Sequence, residues 1–144
     1  MSDGQSKTLK VKLDAGAYMP ERAHSLDAGY DLRTPAGFMI RANDHYVVDT
    51  GVHMQIPAGY VGFLKSKSGL NVTQSITGEG VIDSGYTGSI RVKLYNHSTD
   101  KKFFRKGDKI IQIVLLPVFT PELEQVKELD KSERGNDGFG STGR

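Results

Sequence analysis

The chain has no cysteine and no tryptophan among its 144 residues. Without thiols it has no disulfide framework, no thiolate nucleophile and no zinc–thiolate centre, and a reducing, cytoplasmic setting is the default expectation. It lacks an apolar run of the roughly 18 residues that a membrane helix needs. Met1-Ser-Asp-Gly-Gln-Ser-Lys7 has no hydrophobic core of a secretory signal, so neither membrane insertion nor standard secretion is expected. Charge of one sign is scarce as well. Lys and Arg number 19 against 17 Asp and Glu, a formal net charge of +2. That excess is too small to point to nucleic acid as a partner. A hydrophobic content of 37% and a charged content of 25% are ordinary for one globular domain with a real core.

A period of two dominates the chain. Leu9, Val11 and Leu13 alternate with Lys10 and Lys12, and Val52, Met54 and Ile56 alternate with His53 and Gln55. Ile90, Val92 and Leu94 alternate with Arg91, Lys93 and Tyr95. Each set predicts a half-buried strand. Ile110 to Leu116 is apolar except at Gln112 and predicts a strand covered on both faces, by other layers or by subunits. Turn signals such as Pro57-Ala-Gly59, Asp83-Ser-Gly85 and Lys106-Gly-Asp108 recur at short intervals. No segment keeps a helical period for three turns, and only Ser66 to Ser75 has room for one short helix. The expectation is an all-β chain, a sandwich, jelly roll or barrel.

Five polar clusters interrupt this pattern, and each admits a structural and a functional reading. Asp27-Ala-Gly-Tyr-Asp-Leu32 holds two carboxylates, fit to cap their own turn or to hold Mg²⁺ directly or through water. Lys65-Ser-Lys-Ser-Gly-Leu70 is a solvated basic turn or, if Gly69 opens a helix, a phosphate cradle. Gly80-Val-Ile-Asp-Ser-Gly-Tyr-Thr-Gly88 predicts a β-hairpin with Asp83 and Tyr86 near its bend. Asp83 there either starts the turn or serves as a general base, and Tyr86 either packs locally or stacks on a ring. Gln112, polar within an apolar strand, requires partners, either a ligand or a neighbouring loop. The terminal Arg134-Gly-Asn-Asp-Gly-Phe-Gly-Ser-Thr-Gly-Arg144 is too glycine-rich to pack as helix or strand. It is a frayed end or a closing flap whose arginines, Phe139 and hydroxyls grip a nucleotide. It is not a P-loop, since no lysine follows the glycine and no helix can follow it.

In this order the clusters resemble the motifs of the trimeric dUTP diphosphatase (dUTPase) family. The matching stretches are Ala28-Gly-Tyr-Asp-Leu32, Ser66-Lys-Ser-Gly-Leu70, Gly80-Val-Ile-Asp-Ser-Gly-Tyr86 with Thr87-Gly88, Lys106-Gly-Asp-Lys-Ile-Ile-Gln112 and Arg134 to Gly143. Two departures stand out: Lys67 replaces the usual arginine, which loses the bidentate fork, and the stretch from Leu70 to Gly80 is short for the family.

The resemblance implies a jelly-roll-like β-barrel domain over residues 1–133 and a flexible arm over 134–144 that closes a neighbouring subunit's site in a homotrimer. It implies hydrolysis of dUTP to dUMP and pyrophosphate, which lowers dUTP and supplies dUMP for thymidylate synthesis. Mg²⁺ is the implied cofactor, held by Asp31 through water. Lys67, Ser68, the Gly69 amide and Gln112 would bind phosphates. Asp83 would deprotonate the attacking water. The backbone of Gly80, Val81 and Ile82 would read uracil, Tyr86 would lie under the deoxyribose, and Arg91 would line the pocket. In the arm, Arg134 would hold the γ-phosphate, Phe139 would stack on uracil, and Gly140, Ser141 and Thr142 would wrap the phosphates. Two rival readings are a dCTP deaminase-like enzyme on the same scaffold, for which Glu79 is the only nearby glutamate, and a nucleotide-responsive regulator with a protein partner.

Overall fold

The computed structural model describes residues 8–140, so Ser141 and Thr142 lie outside the described residues. Eleven strands and one helix follow in the order β1 (Lys10–Leu13), β2 (Gly29–Arg33), β3 (Phe38–Ile40), β4 (His45–Asp49), β5 (Val52–Gln55), β6 (Tyr60–Lys65), α1 (Ser68–Gln74), β7 (Ile76–Thr77), β8 (Glu79–Ile82), β9 (Arg91–Asn96), β10 (Lys102–Phe104) and β11 (Lys109–Pro117). The strands form two larger sheets, β2-β11-β6-β8 and β4-β9-β7, and two ribbons, β1-β5 and β10-β3. Each strand pair is antiparallel. The expected all-β chain with one short helix is therefore present.

Alternation builds the core as the period of two requires. In β9, Val92, Leu94 and Asn96 are buried while Arg91, Lys93 and Tyr95 face out. In β5, Val52 and Met54 point inward. Leu32, Ile56, Ile90, Ile111 and Ile113 complete the same cluster. Burying such side chains is the main favourable term for a domain of this size. A register shift between Lys109 and Ile111 inserts one extra residue in β11, so Ile110 and Ile111 are both buried although adjacent.

β11 is central in its sheet, and its apolar residues are buried within the chain through Ile113; Val114 and Leu115 are half-buried and Leu116 is exposed, which leaves any further cover there to subunits. One expectation is corrected. The segment with Asp83 is not a paired hairpin. β8 pairs with β6, whereas β9 pairs with β4 and β7, so the turn at 83–90 carries the chain from one sheet to another. Local turn chemistry is the same in both cases, and the choice of partner is made by packing.

Beyond Pro117 there is no further strand or helix among the described residues. Val118 donates its N–H to Gly59 O at 2.9 Å, and from there the chain is exposed, including Phe119, Leu123 and Leu129.

Candidate active site

One polar centre forms where β2, β6 and β11 meet. The register sets Asp31 opposite Gln112, and Gln112 opposite Lys65. Asp31 is buried, and its carboxylate takes an ion pair on each oxygen: Lys67 Nζ on Oδ1 and Lys109 Nζ on Oδ2 at 3.3 Å. Burial of a carboxylate demands such partners. Lys109 was not singled out from sequence, although it lies within the Lys106 to Gln112 motif. Gln112 Nε2 donates to Ser66 O at 3.0 Å, and the Ser66 hydroxyl is bound to Gly78 at both its N–H and its C=O. The polar residue in the apolar strand thus holds the loop that leads into α1. A methyl at Gly29 would sit 2.1 Å from Gln112 Oε1, so glycine at that position is what lets the amide lie across β2.

Helix α1 opens at Ser68, one residue earlier than the sequence suggested, with Lys67 as its N-cap and no side-chain cap. Asn71 N–H bonds to Lys67 O, so the amides of Ser68, Gly69 and Leu70 are the unpartnered first-turn donors of this helix. Lys67, paired with Asp31, thus leads directly into the exposed first turn that holds Ser68 and Gly69.

A second centre lies at the other end of β8. Val81, Ile82, Asp83, Tyr86 and Arg91 line an open depression of about 220 Å³. Asp83 is exposed, its carbonyl accepts from Tyr86 N–H at 3.1 Å, and the Tyr86 hydroxyl donates to Ser89 O at 2.6 Å. A methyl on Gly88 would fall 2.6 Å from that hydroxyl, so glycine is needed for the ring to lie back on the turn. β8 is the last strand of its sheet, and every second backbone group of such an edge points outward and is available to a ligand.

The two centres are apart within one chain. Glu79 pairs with Lys65 and Ile82 with Gly62, so about 10 Å of strand separates the Lys67 end from the Asp83 end. Arg134 and Phe139 are exposed and reach neither centre; the Arg134 side chain bonds to Asp137 O.

For Mg²⁺, no cluster of three or more His, Asp or Glu side chains exists among the described residues. One buried carboxylate flanked by two ammonium groups is not a cage for a resident ion. Any role of Asp31 toward Mg²⁺ would run through water, to an ion that keeps its hydration shell.

Around the second centre lies an anchoring network that the sequence analysis did not single out. Asp49 accepts from the Ser89 hydroxyl and from Gly51 N–H at 3.0 Å, and these bonds, the serine first, hold its carboxyl below the usual range. His53 places Nδ1 2.8 Å from Thr87 O and Nε2 3.0 Å from Asp14 Oδ1.

Comparison with known proteins places the chain in a family. The dUTPase family profile matches residues 15–143. The deoxyuridine 5'-triphosphate nucleotidohydrolase of Clostridium acetobutylicum is 40% identical over 94% of this chain and 96% of its own length. Among solved structures, a mutant dUTPase of Staphylococcus bacteriophage 80alpha with dUpNHpp is 34% identical with a TM-score of 0.92, covering 96% of this chain and all of its own (100%). A mutant dUTPase of phage phi11 of S. aureus, in which a structural Mg(II) ion is coordinated, is 32% identical with a TM-score of 0.79 over 84% of this chain and 97% of its own. This chain shares its mostly β, jelly-roll-like architecture with these two structures. With matching motifs, a matching fold and relatives covered nearly end to end, the chain belongs to the dUTPase family.

Proposed function

We propose that this chain hydrolyses dUTP to dUMP and pyrophosphate, with Asp83 activating the water that attacks the α-phosphorus. The observation that carries this reading is the depression in which Asp83, Tyr86 and Arg91 stand beside the open edge of β8. Uracil presents an acceptor–donor–acceptor edge, which an outward-facing C=O and N–H pair of Gly80 to Ile82 can match. Cytosine reverses two of those positions and would leave buried groups unpaired, a strong basis for rejection. Tyr86, held by Ser89, offers a fixed surface under the sugar that a 2′-hydroxyl would strike. Asp83, exposed and acceptor-only when ionised, can take a proton from water.

The triphosphate carries about four negative charges, so alignment and neutralisation matter more than covalent chemistry. Lys67, Ser68 and the Gly69 amide are grouped for that task, and Gln112 fixes the loop from which they project. Asp31 orients Lys67 and would hold Mg²⁺ through water. That ion, when bound, screens the phosphate charge.

We further propose a homotrimer with shared sites. The chain's membership of the dUTPase family, whose trimeric members its motifs resemble, supports it. The exposed segment after Pro117 supports it too, since its apolar side chains have no cover from their own body. On that arm Arg134 would hold the γ-phosphate, Phe139 would cover uracil, and Gly140, with Ser141 and Thr142, would wrap the phosphates.

Pyrophosphate release from dUTP, dCTP, dTTP and UTP, each with and without Mg²⁺, tests the reading. Release from dUTP alone, strengthened by Mg²⁺, is expected. Ammonia release from dCTP would instead identify a deaminase.

A further inference from the structure

The turn at 83–88 runs free of strand pairing between Ile82, fixed on β6, and Ser89, fixed by Asp49 and Gly51. Just beyond it, Ile90 is locked by Val52 O at 2.9 Å and by the Thr50 hydroxyl at 2.7 Å. Inside the turn, Tyr86 donates its N–H to Asp83 O and its hydroxyl to Ser89 O. From outside the turn, the His53 ring reaches Thr87 O, next in sequence to Tyr86. The other ring nitrogen meets the Asp14 carboxylate.

Both partners of His53 are acceptors. A neutral imidazole has one N–H and can satisfy only one of them, whereas an imidazolium satisfies both. We propose that His53 is a positioning residue for the reaction: as an imidazolium bridging Asp14 and the Thr87 carbonyl, it pins the turn that carries Asp83 and Tyr86, and it loosens that turn when it loses its proton. This rests on the assignment of Asp83 and Tyr86 to the active site.

The charges around the ring are mixed. Asp14 and Asp49 favour the cation, and Lys12, its register partner on β1, opposes it. Arg91 faces the same region from β9 through Asp49, and Lys10 lines the same hollow from β1. The two hydrogen bonds prevail: the Thr87 carbonyl first and Asp14 second raise the ring above its ordinary value of 6.5. The pinned form is thus present at lower pH and is lost as pH rises through the raised value.

The test is kcat/KM for dUTP in wild type and His53→Gln, each measured from about pH 5.5 to about pH 9. Ionisation of the substrate and of Asp83 is common to both enzymes and cancels in their ratio. The wild-type advantage should be several-fold at low pH and fall toward a constant as pH rises, with its midpoint at the titration of the His53 ring followed by NMR. Asp14→Asn should move both midpoints to lower pH, and it carries the test alone should His53→Gln fail to fold. A ratio flat in pH, or a kinetic midpoint that does not follow the ring, overturns the proposal. Activity of Asp83→Asn separates the two ideas. A flat ratio with Asp83→Asn inactive rejects only the role of His53, whereas an active Asp83→Asn rejects the site itself.

Discussion

Lys67 and Asp31 form an ion pair between the N-cap of α1 and the middle of β2, and Lys109 approaches the same carboxylate from β11 at 3.3 Å. The lysine that takes the place of the family's usual arginine is thus held by a buried acid and not left free in solvent. Removing one member of a buried pair is costly. The half-open lysine side chains, 27% and 39% exposed, reduce that cost by letting water reach the partner left behind. Asp31→Ala should therefore lower unfolding free energy by roughly 1–3 kcal/mol in urea titration. Lys67→Ala should leave the fold intact and raise KM for dUTP by about tenfold or more, the scale of one charge-assisted phosphate contact.

Gly29→Ala probes the strand crossing. The added methyl meets Gln112 Oε1 at 2.1 Å, and the amide must leave Ser66. A loss of about 1–3 kcal/mol is expected from such overpacking, together with weaker phosphate binding as the loop before α1 is released. Thermal denaturation and KM for dUTP are the measurements; an unchanged KM would separate Gln112 from substrate binding.

Asp83→Asn keeps the size of the side chain and removes its basicity. It should reduce kcat by about 10²–10⁴-fold. Binding of dUpNHpp by calorimetry should be nearly unchanged, because Tyr86 and the β8 edge are untouched.

The arm separates stability from turnover. Among the described residues, the hydrogen bonds of 134–140 reach no further back than Ser132, so truncation after Glu133 should leave the melting temperature nearly unchanged and cripple turnover. Phe139→Ala should weaken nucleotide binding by about 1–3 kcal/mol, the range for a base stacked on an aromatic ring. Normal hydrolysis by the truncated chain would remove the arm from the site.

Asp49 offers a test at acid pH. Its carboxyl is held below 3.8, chiefly by the Ser89 hydroxyl. A depressed value means that the folded state favours the ionised form. The stabilisation is complete above the unfolded value and disappears as pH falls through the folded one. Ser89→Ala should bring the Asp49 titration back toward 3.8 in carboxyl NMR and move acid unfolding to higher pH.

Much of this was legible in the chain itself. The alternation of Val52 to Ile56 and of Ile90 to Tyr95 reports directly which side chains face the core, because side chains on a strand alternate between faces whatever the partner strand is. The motifs around Asp31, Lys67, Asp83 and Gln112 were visible for a similar reason: small and polar residues inside strand-forming sequence contradict local packing, and such conflicts concentrate at working sites.

Pairing was not legible. The same Asp-Ser-Gly turn suits a hairpin and a crossing between sheets, and only the pairing of β8 with β6 and of β9 with β4 selects the crossing. The roles of Lys109 and His53 were hidden for the same reason. A lysine or histidine on an alternating strand looks like a solvated face until the register brings a buried carboxylate or a turn carbonyl within 3.3 Å. Sequence by itself determined strand faces, turn chemistry and the family motifs, since these depend on neighbours along the chain. Tertiary structure alone decided which strands pair, that Asp31 is shared by two lysines, and that the Asp83 and Lys67 centres lie at opposite ends of β8. Those depend on contacts between residues far apart in sequence, which only the closing of the sheets over one core brings together.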